Sequence, residues 1–165
     1  MTAEIDNYLD FFARLEQQVL EALQDLPPEA LNWRPLPDQP GANTDATNSL
    51  AATTAHLAGS VRYWVGEVAG GRPAHRDRDA EFRTQASDAG ELTARVAAAG
   101  ELVRNALKKM PPEQLDGMAP AGAKEVSRRN AVVHALQHAS IHLGHLQLTR
   151  QLWEASRAGS ETKEL

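Results

Sequence analysis

The chain has no cysteine. That absence excludes a disulfide scaffold, thiolate metal sites and a cysteine nucleophile together. Any sulfur chemistry must therefore arrive with a substrate or cofactor. Basic charge is also scarce: 17 Lys and Arg stand against 22 Asp and Glu, for a net charge of −5. Proteins that live on phosphate contacts show a basic surplus or stripe. The one dense basic stretch, residues 72–83, is interleaved with Asp77, Asp79 and Glu81. Nucleic acid is thus disfavoured as the main partner. No apolar run approaches the roughly 18 unbroken residues of a membrane span. The opening MTAEIDNYLDFF is acidic and amphipathic, with no basic leader segment. These absences predict a soluble, cytoplasmic chain with no membrane partner. Alternating apolar and polar runs rich in β-branched residues are missing too, so no strands are expected.

What is present is helical periodicity. Ile5, Tyr8, Phe12, Leu15, Val19, Ala22 and Leu26 recur at steps of three and four, widened by Leu9, Leu20 and Leu23. Pro27 and Pro28 stop that helix. A second helix is predicted over residues 49–68, capped by Thr47, Asn48 or Ser49 and ended by Gly70 and Gly71. A third follows Ser87 with Leu92, Val96, Ala99, Val103, Ala106 and Met110, closed by Pro111 and Pro112. The fourth starts near Ser127 and runs to about Ala155. Its main stripe is Val132, Leu136, Ala139, Leu143 and Leu146. Ile141, Leu148 and Leu152 lie nearly opposite, so either the bundle or a partner subunit should cover a second face.

Four such helices predict an all-α, four-helix bundle, one domain over residues 1–157 with a polar tail at 158–165. Between the first two helices, residues 27–47 hold five prolines and form a long loop, opened by one helical turn at 28–31. Such a connection is longer than bundles usually need. Leu31, Trp33 and Leu36 suggest that it packs back, with Trp33 as its anchor.

Histidine carries the chemical signal. His134, His138, His142 and His145 fall at about 0°, 40°, 80° and 20° around one helix, within an arc of roughly 80°. His56 is offset from its own apolar stripe by about 120° in the same rotational sense as the cluster. Histidines at i and i+4 can converge their ring nitrogens on one divalent ion, and a third from a neighbouring helix leaves coordination positions open. Neutral imidazoles suit zinc, nickel, copper or iron. Tyr63, two turns after His56, could turn its hydroxyl toward such a site, although packing with the hydroxyl in water is the plainer reading. His75 reads as ordinary surface. The run 76–81 reads as a solvated, salt-linked loop whose arginines could meet an anionic substrate.

The stretch HALQHASIHLGHLQLTRQLW (134–153) resembles the signature of the DinB-like (DinB/YfiT) superfamily. LNWRP (31–35), NSLAATTAHLAGSVRYWVG (48–66) and RDRDAEF (76–82) share in that resemblance. It implies a four-helix bundle, usually dimeric, with a divalent metal held by His56, His138 and His142. Zinc and nickel are the expected ions. Characterised relatives include metal-dependent transferases and isomerases that use low-molecular-weight thiols. The resemblance thus points to a thiol cofactor, a small-molecule electrophile as substrate, and a homodimer. This chain departs from the common pattern at His142-Leu143-Gly144-His145, where His145 replaces a glutamine and an arginine is missing. His145 and His134 could be outer donors, proton carriers or competing ligands. A metal-dependent hydrolase and a non-catalytic metal-binding or ligand-binding bundle are the competing readings.

Overall fold

The computed structural model describes residues 2–36 and 47–161. Part of the long Pro-rich loop, including Pro37, Pro40 and Gly41, lies outside the described residues, as does the end of the polar tail. Four long helical rods form the body: α1 (Ala3–Leu23), α3 (Leu50–Val61) with its π-helical continuation Arg62–Ala69, α5 (Ala89–Lys109) and α6 (Arg128–Glu161). Helix α6 extends past the end expected at Ala155. Short helices α2 (Pro28–Asn32) and α4 (Arg78–Phe82) lie in the connections.

The long rods form where the apolar spacing placed them, and their caps are local. Ser49 Oγ accepts from Ala52 N–H, Asp88 Oδ1 from Glu91 N–H, and Ser127 Oγ from Asn130 N–H. Each satisfies an otherwise orphaned first-turn donor. Helices α1 and α3 each pack on both α5 and α6, so they sit diagonally across the bundle. Ile5, Val19 and Leu23 from α1 meet Leu50, Val65, Leu92, Val103, Leu107, Val132 and Leu146 in one core. That arrangement makes α3 and α6 neighbours, which the histidine offset requires.

Three features depart from the sequence reading. The second rod changes to π-helical winding at Arg62, a pattern that apolar spacing does not report. Helix α4 forms inside the presumed polar loop, capped by Asp77 and anchored by buried Phe82. A β-hairpin, β1 (Met118–Ala121) with β2 (Lys124–Ser127), precedes α6. Its turn uses Gly122 at φ 64°, which suits glycine. Its Ala, Pro, Lys and Glu residues are poor strand formers, hence the missing signal.

The start of the Pro-rich loop does fold back. Leu31 is fully buried, Asn32 bonds both the N–H and the C=O of Ala86, and Trp33 meets Trp153 edge-on at 5.8 Å. Leu36 is exposed instead. The second face of α6 is uncovered by the bundle: Ile141, Leu148 and Leu152 are all exposed.

Candidate metal centre

Helix α3 presents His56 to α6, almost fully buried at 3% exposure. Its Nε2 lies 3.3 Å from His138 Nε2, which lies 3.2 Å from His142 Nε2. One ligand atom from each of the three rings falls within 4.8 Å of the others. A tetrahedral ion with metal–nitrogen bonds of about 2.0 Å holds its ligand nitrogens about 3.3 Å apart. Both measured contacts match that edge. Protons alone serve the cluster poorly, because a ring carries one N–H at neutral charge and His138 Nε2 faces two other nitrogens. A divalent ion would engage all three lone pairs at once, so the residues fit a metal.

The tautomer of His56 is set from behind. Its Nδ1 donates to Glu81 Oε2 at 3.0 Å, leaving the Nε2 lone pair directed at the cluster. Phe82 stacks on the same ring at 4.4 Å. Glu81 also accepts two hydrogen bonds of 2.8 Å from Arg76, through Nε and Nη2. Burial pushes the Glu81 carboxyl upward, but the bonds from Arg76 and His56 outweigh it and hold the group below its ordinary range. The run 76–81 is therefore not a solvated loop. Short helix α4 carries Glu81 and Phe82 inward against His56, and Arg76 follows.

Gly59, one turn beyond His56, makes this possible. A Cβ there would overlap Glu81 Oε1. Neither Glu81 nor Gly59 was singled out from the sequence. The usable signal was Phe82, the lone large apolar residue of a polar stretch, which had to be buried somewhere.

His134 and His145 flank the cluster without joining it. The His134 ring is 6.0 Å from that of His138 and lies against Trp64 at 4.2 Å. His145 is exposed, 5.4 Å from His142. Tyr63 packs edge-on to Trp64, beneath the Arg76 guanidinium at 5.9 Å, and its hydroxyl makes no hydrogen bond among the described residues. His75 is exposed, as expected.

Burial, followed by the nearby His56, His134 and Arg76, depresses His138 to about 4. Burial, with His138, His56, His145 and Arg76 around it, depresses His142 to about 3. Both rings are neutral near pH 7, as ligands must be. The linkage has a definite sign. Unfolded, these rings protonate near pH 6.5, so on acidification the unfolded state binds protons that the native state refuses. Metal-free protein should therefore lose stability as pH falls from about 6.5 to about 4, with the loss levelling off below about 3. Urea midpoints at a series of pH values measure this. Glu81 and Glu4, both held low, act in the same direction only below about 4.5. A flat midpoint between pH 6.5 and 5 would contradict the placement of the two rings.

A family model described as the DinB superfamily matches residues 12–146. Among solved structures, the crystal structure of the conserved protein of locus from Enterococcus faecalis is similar in fold. It aligns with a TM-score of 0.68 over 92% of this chain and 97% of that one, at 19% identity. No curated protein matches the chain. With most of its length matched in order and the all-helical bundle in place, the chain belongs to the DinB superfamily.

Proposed function

We propose that this protein is a divalent-metal-dependent enzyme, with the Nε2 atoms of His56, His138 and His142 holding zinc or nickel. We further propose that it transfers a low-molecular-weight thiol to a small electrophile. The observation that carries the reading is the convergence of three imidazole nitrogens, one of them on a ring oriented by a buried carboxylate. When bound, such an ion supplies Lewis acidity that brings a coordinated water or thiol toward deprotonation near neutral pH. The chain's own residues do the rest. Glu81 fixes the His56 tautomer, Arg76 neutralises Glu81, and Phe82 holds the His56 ring from one face.

A thiol must come from outside, since the chain has none. Hydrolysis at the same three rings is the second reading. It is disfavoured because Glu81 is committed to Arg76 and His56 and is not poised as a base for water.

Metal analysis of the purified protein tests the centre directly. Wild type should take up about one zinc or nickel per chain. Uptake of neither would end the reading. Removing the ion with chelator should leave helicity unchanged, because the core of Ile5, Leu23, Leu92, Leu107 and Leu146 closes without it. Loss of the far-ultraviolet helical signal on chelation would instead favour a structural ion, since such a site supplies folding energy directly.

The acting unit is proposed to be a homodimer joined through the exposed α6 stripe. Ile141 and Leu148 are 52% and 54% exposed, Leu152 extends the line, and a Cβ at Gly144 would meet open space. Contiguous apolar exposure of this kind marks an association surface. Leu148→Asp should shift the mass in light scattering from dimer to monomer. A wild type that is monomeric at high concentration would remove the proposal. The small electrophile remains the proposed partner, with nucleic acid disfavoured by charge. No helix among the described residues is long and apolar enough to cross a membrane.

A further inference from the structure

The flank of α3 beside His56 borders a cavity of about 540 Å³, between α3, α4 with its preceding loop, and α5. None of the three clustered histidines lines it. Small side chains, Ala58, Ala94 and Ala98 among them, leave the space open. Arg62, Arg76 and Arg95 supply its positive charge. Arg62 and Arg95 form no hydrogen bond or ion pair among the described residues. Arg76 engages Glu81 through Nε and Nη2, which leaves Nη1 as a donor without a partner there.

Two carboxylates, Glu81 and Asp77, also belong to the lining. Glu81 is committed to Arg76 and His56, and Asp77 Oδ1 caps α4 by accepting from Ala80 N–H. Three guanidiniums therefore outnumber two engaged carboxylates, in a chain whose net charge is −5. A positive concavity with low-dielectric walls concentrates anions. Guanidinium is the group best matched to carboxylate or phosphate oxygens. The volume falls in the range that encloses a small organic ligand.

We propose that this cavity binds a small organic dianion. Its apolar body lies on the alanine floor, and its carboxylate or phosphate oxygens meet Arg62, Arg76 and Arg95. The site adjoins the metal centre, sharing Arg76 and Glu81 with the support of His56, but contains none of the three clustered rings and needs no metal.

The test is a titration of metal-free, ¹⁵N-labelled protein followed by amide chemical shifts. The probes are phthalate, phenyl phosphate and the uncharged dimethyl phthalate. Phthalate or phenyl phosphate should give saturable shifts centred on Ala58, Ala94 and Ala98, and whichever binds tighter identifies the anionic group. In Arg62→Ala/Arg95→Ala that binding should weaken by about tenfold or more. Both residues are exposed, so the fold should persist, and an unchanged amide spectrum away from the cavity checks this. Arg104→Ala, which removes a guanidinium paired with Glu16 elsewhere, should bind as wild type does.

Three results overturn the proposal. One is equal binding of dimethyl phthalate, another is undiminished binding in the double variant. The third is no saturable shift up to about 10 mM, where even a millimolar site would be mostly filled. Repeating the titration in His138→Ala separates this outcome from that of the metal reading.

Discussion

His138→Ala should abolish metal retention while leaving the bundle folded. His138 is the vertex of the cluster: its Nε2 approaches His56 at 3.3 Å and His142 at 3.2 Å. Removing it leaves two nitrogens on different helices, with neither a chelating i, i+4 pair nor a third donor. Losing a residue that merely orients a ligand typically costs 10–100-fold in affinity. Losing the central ligand should cost more than about a hundredfold. Competition against a chromophoric chelator reads this directly.

The fold should tolerate the change. His138 is only half-buried, and its Nδ1 has no hydrogen-bond partner among the described residues. Truncation therefore removes an unsatisfied polar group as well as a ring. The urea midpoint of the metal-free variant at pH 7 should stay near that of wild type, and its loss on acidification should be shallower, since one depressed ring has gone. His134→Ala and His145→Ala are the contrasting variants. Their rings sit 6.0 Å and 5.4 Å from the nearest clustered ring, and each should retain metal within about threefold of wild type, a loss well short of an orienting residue's. Retention by His138→Ala, with loss in either flanking variant, would reassign the ligands.

The bundle and a histidine-lined groove were legible in the sequence because both are written in helical periodicity; which two of the four α6 rings join His56 was implied by the resemblance, not by the spacing. Four α6 histidines within one arc, and His56 offset in the matching sense, predict a shared groove once α3 and α6 are neighbours. Periodicity is silent about side chains delivered by irregular segments. Glu81 reaches His56 across 25 residues of chain, carried by a five-residue helix too short to have a period. Its interleaved charges looked solvated because Arg76 and Glu81 neutralise each other, and that same pairing is what permits their burial. The hairpin before α6 was hidden differently, by strand residues whose own preferences point elsewhere.

Gly59→Ala should reproduce the loss caused by Glu81→Ala, although residue 59 would touch no metal. The added methyl group would occupy the place of Glu81 Oε1. The obstacle is the far end of a flexible side chain, not backbone, so the helix should stay and the carboxylate should leave. Three effects then coincide. His56 loses the acceptor that fixes its Nδ1–H and directs its Nε2 lone pair. Arg76 loses both of its 2.8 Å bonds to Glu81. Its guanidinium, whose Nη2 already lies 3.2 Å from His56 Nδ1, is left uncompensated beside the imidazole. A bare cation there opposes a bound dication and weakens the ring as a donor. Metal affinity should fall by about 10–100-fold in both variants. Glu81→Gln should fall by less, because an amide oxygen still accepts from Nδ1 while the charge is gone. Helicity should be unchanged in all three. If Gly59→Ala holds metal as tightly as wild type, Glu81 does not orient His56, and the ligand rings are set by packing against Phe82 and α6 alone.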